Sequence, residues 1–308
     1  MKLKDINNDE LVNIVKNYNI VYKDEISGID IPFGCEIEFE NAQHIIVDRE
    51  LYNIKKYSDS MNKWKLVSDE SLNSLKGNKR YTDNNYGGEI VSPILHNKKE
   101  DWTQLKQVCM MLKKFNATNT DYSSAHIHFD NDLFKDNYEG ISNLLKLWSI
   151  YEDVIYRFSS NFDQSLRKYI NDFARPTSRK YINLIKSKYI DNYDILIQNL
   201  KPMKRTSGLS FSEFYVPGKD SFEIRTPNGT IDEIVWQNNI NFFKHILMTS
   251  LDNNKDWELI DFYINEYNRN YYKLKNYKKL NINKAKKLGD FIFDEDIDKL
   301  NFMKQYIK

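Results

Sequence analysis

Phe33-Gly34-Cys35-Glu36-Ile37-Glu38-Phe39-Glu40 alternates apolar and polar residues with a period of two. In a β-strand, residues two apart share a face, so Phe33, Cys35, Ile37 and Phe39 enter a core while Glu36, Glu38 and Glu40 point the other way. Three later stretches read alike: Gly88-Glu89-Ile90-Val91, Ala125-His126-Ile127-His128-Phe129-Asp130 and Phe222-Glu223-Ile224-Arg225. Ala125, Ile127 and Phe129 oppose His126, His128 and Asp130, and Phe222 and Ile224 oppose Glu223 and Arg225. Strands of this kind in one sheet give it a greasy face and a face of carboxylates, imidazoles and a guanidinium.

The spacing of the remaining apolar residues predicts mostly helix. Leu11, Ile14, Val15 and Tyr18 mark a short helix over 8–18, and Trp102, Leu105, Cys109, Leu112 and Phe115 line one face of a helix over 98–115. Further helices are expected over 41–57, 139–160, 178–200 and from Ile231 onward, with a strand at 64–67 and a hairpin joining 210–216 to 221–226. Strands separated by long helices, with no nucleotide-binding glycine loop, favour an α+β fold. Gly218-Lys219 lacks the rest of a P-loop, and neither GxGxxG nor GxSxG occurs. The expected division is a catalytic domain over 1–254 and a helical appendage over 255–308, with the Lys- and Tyr-rich piece 263–287 solvated.

Composition narrows the function class. Across 308 residues, 45 Lys plus Arg nearly balance 44 Asp plus Glu, for a net charge of +1. A nucleic-acid or membrane-surface protein usually carries a basic excess or stripe, so neither partner is expected. No apolar run is long enough to span a bilayer and the N-terminus lacks a signal-peptide core, so a cytoplasmic location is expected. Cys35 and Cys109 form no CxxC pair, which argues against a disulfide framework or zinc knuckle.

Glu36-x-Glu38 places two carboxylates on one strand face with Cα atoms about 7 Å apart. That spacing suits neighbouring hard cations in phosphoryl transfer, although a solvent-facing strand edge also fits it. His126-x-His128 is more informative because the chain has only five histidines; a metal, a phosphate or a satisfied structural imidazole all suit the pattern. Glu223-x-Arg225 pairs a possible metal ligand with a phosphate-binding fork, or forms a cross-strand ion pair. Glu89 follows two glycines, which fits either close backbone approach to a ligand or a turn. Arg157, Arg175, Arg179, Lys204 and Arg205 are candidates for nucleotide phosphates or ordinary surface charges. Cys35 has the parity of a core residue, not of a nucleophile.

Taken in order, the blocks 33–40, Trp64 with Ser68-Asp69-Glu70-Ser71-Leu72, 87–95, Ser124-Ala125-His126-Ile127-His128-Phe129 and 222–230 resemble the amidoligase family, carboxylate–amine ligases related to glutamine synthetase and glutamate–cysteine ligase. The resemblance covers about the first three quarters of the chain and leaves the C-terminal segment without a counterpart. It implies a curved antiparallel sheet forming a funnel, with helices on its outer face and with ATP and two or three Mg²⁺ or Mn²⁺ ions inside. Glu36, Glu38, Glu89, His126, His128 and Glu223 match the metal-binding blocks, and His128 and Arg225 also fall where the nucleotide and the transferred phosphate are held. Asp69 and Ser71 match a block expected near the amino-acid substrate, and Arg175 and Arg179 loosely match an arginine region.

The function implied is an ATP-dependent ligase joining a carboxylate substrate to an amine substrate, peptide or small molecule, through an acyl phosphate. Phosphorylation turns a poor leaving group into a good one, while the metal ions, Glu38 and Arg225 manage charge on the transferring group. A carboxylate such as Glu40 or Asp69 is expected to take the amine's proton. Two alternatives use the same residues: a metal-dependent hydrolase built on His126 and His128, and a binding module that keeps the fold without turnover. Because polar-face residues contribute little to a core, removal of Glu36, His128 or Glu223 is expected to spare the fold.

Overall fold

The computed structural model describes residues 1–55, 63–67, 86–160, 167–168, 170–187, 192–203, 205–212, 214, 221–266, 277 and 279–308. Six strands form one sheet: β1 (Phe33–Gln43), β2 (Lys65–Val67), β3 (Tyr86–Val91), β4 (Ala125–Asp130), β5 (Leu209–Ser210) and β6 (Ser221–Ile224). Their order is β2-β3-β1-β4-β6-β5 and every pairing is antiparallel. The four alternating stretches therefore lie side by side in the middle of the sheet. Directly opposed residues share a face, and the register sets Glu38 against Glu89, Glu36 against His126 and His128 against Glu223.

The apolar parity builds the core as expected. Phe33, Cys35, Ile37, Phe39, Ile90, Ala125, Ile127, Phe129, Phe222 and Ile224 are all buried and join one continuous cluster with the helices. Phe33 meets Trp102 of the helix Lys99–Lys114 with ring centroids 5.2 Å apart. Behind it, Trp148 of Tyr138–Ser159 stacks on Phe243 of Glu233–Leu251 at 6.2 Å. The architecture is thus α+β, an antiparallel sheet with packed helices, but the sheet is not strongly curled, so the funnel implied by the resemblance is not seen.

Several boundaries differ from expectation for local reasons. β1 continues to Gln43, through Asn41 at φ 65°, and its pairing with β3 is irregular between Phe39 and Gln43. Opposite this irregularity Gly87 has φ 86°, and a Cβ there would lie 2.9 Å from the Phe39 carbonyl oxygen. The Gly87-Gly88 pair thus serves close strand contact at a bulge. The next helix starts at His44. The region 178–200 holds two helices, Ser178–Ile185 and Tyr193–Leu200, because the Asn192 side chain accepts a hydrogen bond from Ile195 N and opens a new N-terminus. The turn of the expected 210–226 hairpin, 215–220, lies outside the described residues.

Helices Ile282–Ile292 and Asp296–Ile307 pack against Tyr138–Ser159, Glu233–Leu251 and the N-terminal turns. Phe302 is fully buried and stacks on Phe242 at 5.2 Å, while Gln305 donates to Phe158 O at 3.1 Å and Asn239 Oδ1 at 2.8 Å. Within the stretch expected to be solvated, Tyr277 is buried, stacks on Tyr156 at 4.8 Å and donates to Glu152 Oε2 at 3.1 Å. Among the described residues, no helix is long and apolar enough to cross a membrane.

Candidate metal and phosphate site

The polar parity of the central strands does not face open solvent. Glu38, His126 and Glu223 are 3%, 4% and 1% exposed, so the carboxylates and imidazoles are forced to satisfy one another. His126 Nδ1 lies 2.7 Å from Glu36 Oε2 and 3.3 Å from Glu223 Oε1, and His128 Nε2 lies 3.1 Å from Glu36 Oε1. Burial pushes the Glu36 carboxyl up, but hydrogen bonds from His126 and His128 outweigh it and hold the group well below the usual carboxylate range.

The other edge of the imidazole faces a second group. Ser124 Oγ lies 2.9 Å from His126 Nε2 and also donates to Glu38 Oε1, while Ser124 N donates to Glu38 Oε2 at 2.6 Å. Ligand atoms of Glu36, His126 and Glu223 lie within 4.8 Å of one another, and so do those of Glu38, Glu89 and His126. Two possible cation positions therefore share one histidine. Beyond β6, Arg225 bonds Glu223 Oε1 and donates from Nε to Phe173 O at 2.9 Å.

These residues fit a hard divalent cation. Glu36, Glu38, Glu89 and Glu223 offer carboxylate oxygens, the donor class of Mg²⁺ and Mn²⁺. Among the described residues, buried Glu223 Oε2 has no hydrogen-bond partner, an arrangement that costs free energy unless a cation completes it. His128 extends the site toward a cleft of about 540 Å³ whose walls include Pro32, Pro93, Ile94 and Phe129, with Asp130 and Ser221 supplying polar groups.

Other expected residues fall elsewhere. Arg175 and Arg179 are exposed, and among the described residues neither bonds to the Glu/His cluster; Arg175 Nε instead donates to Asn171 O at 2.7 Å. Arg157 is buried against the C-terminal helix, with Nε donating to Tyr306 O at 3.1 Å. Glu40 is engaged by Thr120 Oγ1 at 2.5 Å and Ser123 Oγ at 3.2 Å. Asp69, Ser71 and Lys204 lie outside the described residues. Cys35 is buried, and desolvation pushes its thiol far up, as suits packing and not nucleophilic chemistry.

Two residues at the site have no role assigned by the sequence reading. Ser124 has the parity of His126 and His128, so extending the alternation by one step finds it. Arg167 carries no such signal: it lies between strands in sequence and reaches the site only through the tertiary fold, where it donates to the Arg225 carbonyl oxygen. Burial pushes its guanidinium down to about 10, with Glu38 and Glu223 opposing that effect and Arg225 adding to it.

A search of curated proteins finds no match to the chain. The family model described as "Putative amidoligase enzyme" matches residues 30–247, a span that contains all six strands and every residue of the Glu/His cluster. The chain belongs to that amidoligase family.

Proposed function

We propose that the protein is an ATP-dependent carboxylate–amine ligase that forms an amide through an acyl phosphate and releases ADP and phosphate. The observation that carries this reading is the pair of carboxylate–histidine groups sharing His126, with Glu223 Oε2, unpartnered among the described residues, on the carboxylate that pairs with the Arg225 guanidinium. Mg²⁺ or Mn²⁺ bound there would neutralise charge on the phosphoryl oxygens. The chain's own residues do the rest. Glu36, Glu38, Glu89 and Glu223 fix the ligand oxygens on a rigid sheet, and Arg225, held by Glu223 and Phe173 O, offers its remaining donors to the transferring group.

The cleft beside His128 takes the nucleoside. Pro32, Pro93 and Ile94 supply apolar wall for a planar base, and Asp130 supplies an acceptor for a ribose hydroxyl. His128 and Glu36 line the same cleft and would hold the phosphate end of a nucleotide bound there. The acid and amine then meet on the Glu38 and Glu89 side, where burial of Glu38 and His126 limits water attack on an acyl phosphate.

Calorimetric titration with ATP tests this reading. Binding is expected with Mg²⁺ or Mn²⁺ present and at least tenfold weaker in EDTA. Equal binding without metal, or tight Zn²⁺ binding with no ATP binding, contradicts it.

A further inference from the structure

Arg167 is 4% exposed, donates to the carbonyl oxygen of Arg225, two residues along the chain from Glu223, and lies within Coulombic reach of Glu38, Glu223 and Arg225. Among the described residues its guanidinium makes one hydrogen bond, from an Nη to the Arg225 carbonyl oxygen, and forms no ion pair. Its Nε is buried and has no acceptor among the described residues. A guanidinium carries five N–H donors and stays charged, so a buried one with an orphaned donor is a costly arrangement. A second cation, Arg225, stands beside it and adds repulsion. Arg225 itself is committed, to Glu223 on one side and Phe173 O on the other. Arg167 is the less committed positive charge of the two.

We propose that Arg167 is an oxyanion-binding residue that, beside Arg225, receives an anionic oxygen group of a reactant at the Glu38 side of the cluster. The inference rests on the ligase reading for the reactant's identity, since both a substrate carboxylate and a phosphoryl group present the same oxygen chemistry. It does not rest on that reading for the binding itself. The charge ordering explains why the site is built this way. Glu38 and Glu223 repel an anion until cations neutralise them, so an oxyanion is admitted only to the metal-loaded face, where Arg167 adds a donor that no group among the described residues occupies. Lysine cannot substitute fully, because its compact ammonium lacks the planar fork.

The test uses full-length protein in excess Mg²⁺, as wild type, Arg167→Lys and Arg167→Gln. Orthophosphate and acetate are titrated separately by calorimetry, each with and without ADP, after a Mg²⁺ titration. The expected result is that wild type binds at least one of the two anions and that Arg167→Gln weakens it at least tenfold, with Arg167→Lys between them. Mg²⁺ affinity should change less than threefold. Loss of orthophosphate alone assigns the group to phosphoryl transfer, and loss of acetate alone assigns it to the acid substrate. Should Arg167→Gln not fold, as judged by its thermal melt, the comparison of wild type with Arg167→Lys decides. Anion binding equal in wild type and the folded variants, or no anion binding to wild type, overturns the proposal and leaves Arg167 as a structural tie to Arg225. Failure of Mg²⁺ or ADP to bind counts against the ligase reading and is read separately from the anion isotherms.

Discussion

His126 stands directly opposite Glu36 across β1 and β4, and its Nδ1 lies 2.7 Å from Glu36 Oε2. The same nitrogen lies 3.3 Å from Glu223 Oε1, so one imidazole ties three neighbouring strands together on the buried polar face. In a buried network of this kind each group is another's counter-charge, and deleting one leaves its partner stranded.

Glu223→Ala should therefore destabilise the metal-free protein. It strands Arg225, and loss of one partner of a buried ion pair costs about 3–5 kcal/mol. Glu223→Gln keeps an acceptor for Arg225 and should cost less, while still weakening Mg²⁺ binding. Urea unfolding in EDTA, set beside Mg²⁺ titration, checks both; an Ala variant as stable as wild type would show that the network contributes nothing. The sequence expectation that such residues can be removed harmlessly does not suit a face this deeply buried.

Acid should destabilise the protein in two steps. Burial lowers His245 from 6.5 to about 4, with Asp298 and Asp294 opposing and Lys244 reinforcing the shift. Between those values the unfolded chain carries the proton and the folded one does not, so stability rises with pH across that window and is lost on acidification, by about 3 kcal/mol at most. Glu36 acts lower. Its carboxyl is held below the usual range, so its contribution is full above about 4.3 and disappears as pH falls further. Unfolding midpoints from pH 7 to 4 should be flatter for His245→Gln than for wild type, and parallel curves would remove His245 from the account.

Ile37→Ala should damage the fold itself. Ile37 is fully buried on the apolar face between Cys35 and Phe39, and truncation there costs about 2–5 kcal/mol. A loss under 1 kcal/mol in chemical denaturation would mean that the parity assignment of β1 is wrong.

Phe302→Ala tests how far the C-terminal helix supports the rest. Its ring packs on Phe158, Phe242 and Phe293, none of them in the Glu/His cluster, and its removal should cost about 3–5 kcal/mol while leaving Mg²⁺ affinity in the folded protein unchanged. A melt equal to wild type would make this segment a peripheral one.

Much of the site was legible because a strand has a period of two. Alternation alone put Glu36, Glu38, His126, His128 and Glu223 on one face, and antiparallel register then brought them together. Parity does not reveal what covers that face. Burial of Glu38 depends on Ser124 and the segment before β4, and Arg167 arrives from between secondary elements, so neither the satisfied network nor the orphaned guanidinium could be read from spacing. Helix limits failed where single residues decide them, at the Asn192 cap and at the β1 irregularity beside Gly87. Tyr277 was misread because a Lys- and Tyr-rich composition looks solvated, whereas the Tyr156 ring and Glu152 provide a buried partner for both its ring and its hydroxyl.

The central claim is that the carboxylate–histidine face acts on the terminal phosphoryl group of ATP. The most direct measurement incubates the protein with ATP, Mg²⁺, hydroxylamine and pools of carboxylic acids, and analyses both the nucleotide and the acyl product. The account predicts a hydroxamate that appears only with ATP, metal and acid together, in step with ADP and phosphate, and that is suppressed in Arg225→Ala, which removes a charge from the transferring group. Formation of AMP and pyrophosphate alongside the hydroxamate would contradict it, because an acyl adenylate would then be the activated species.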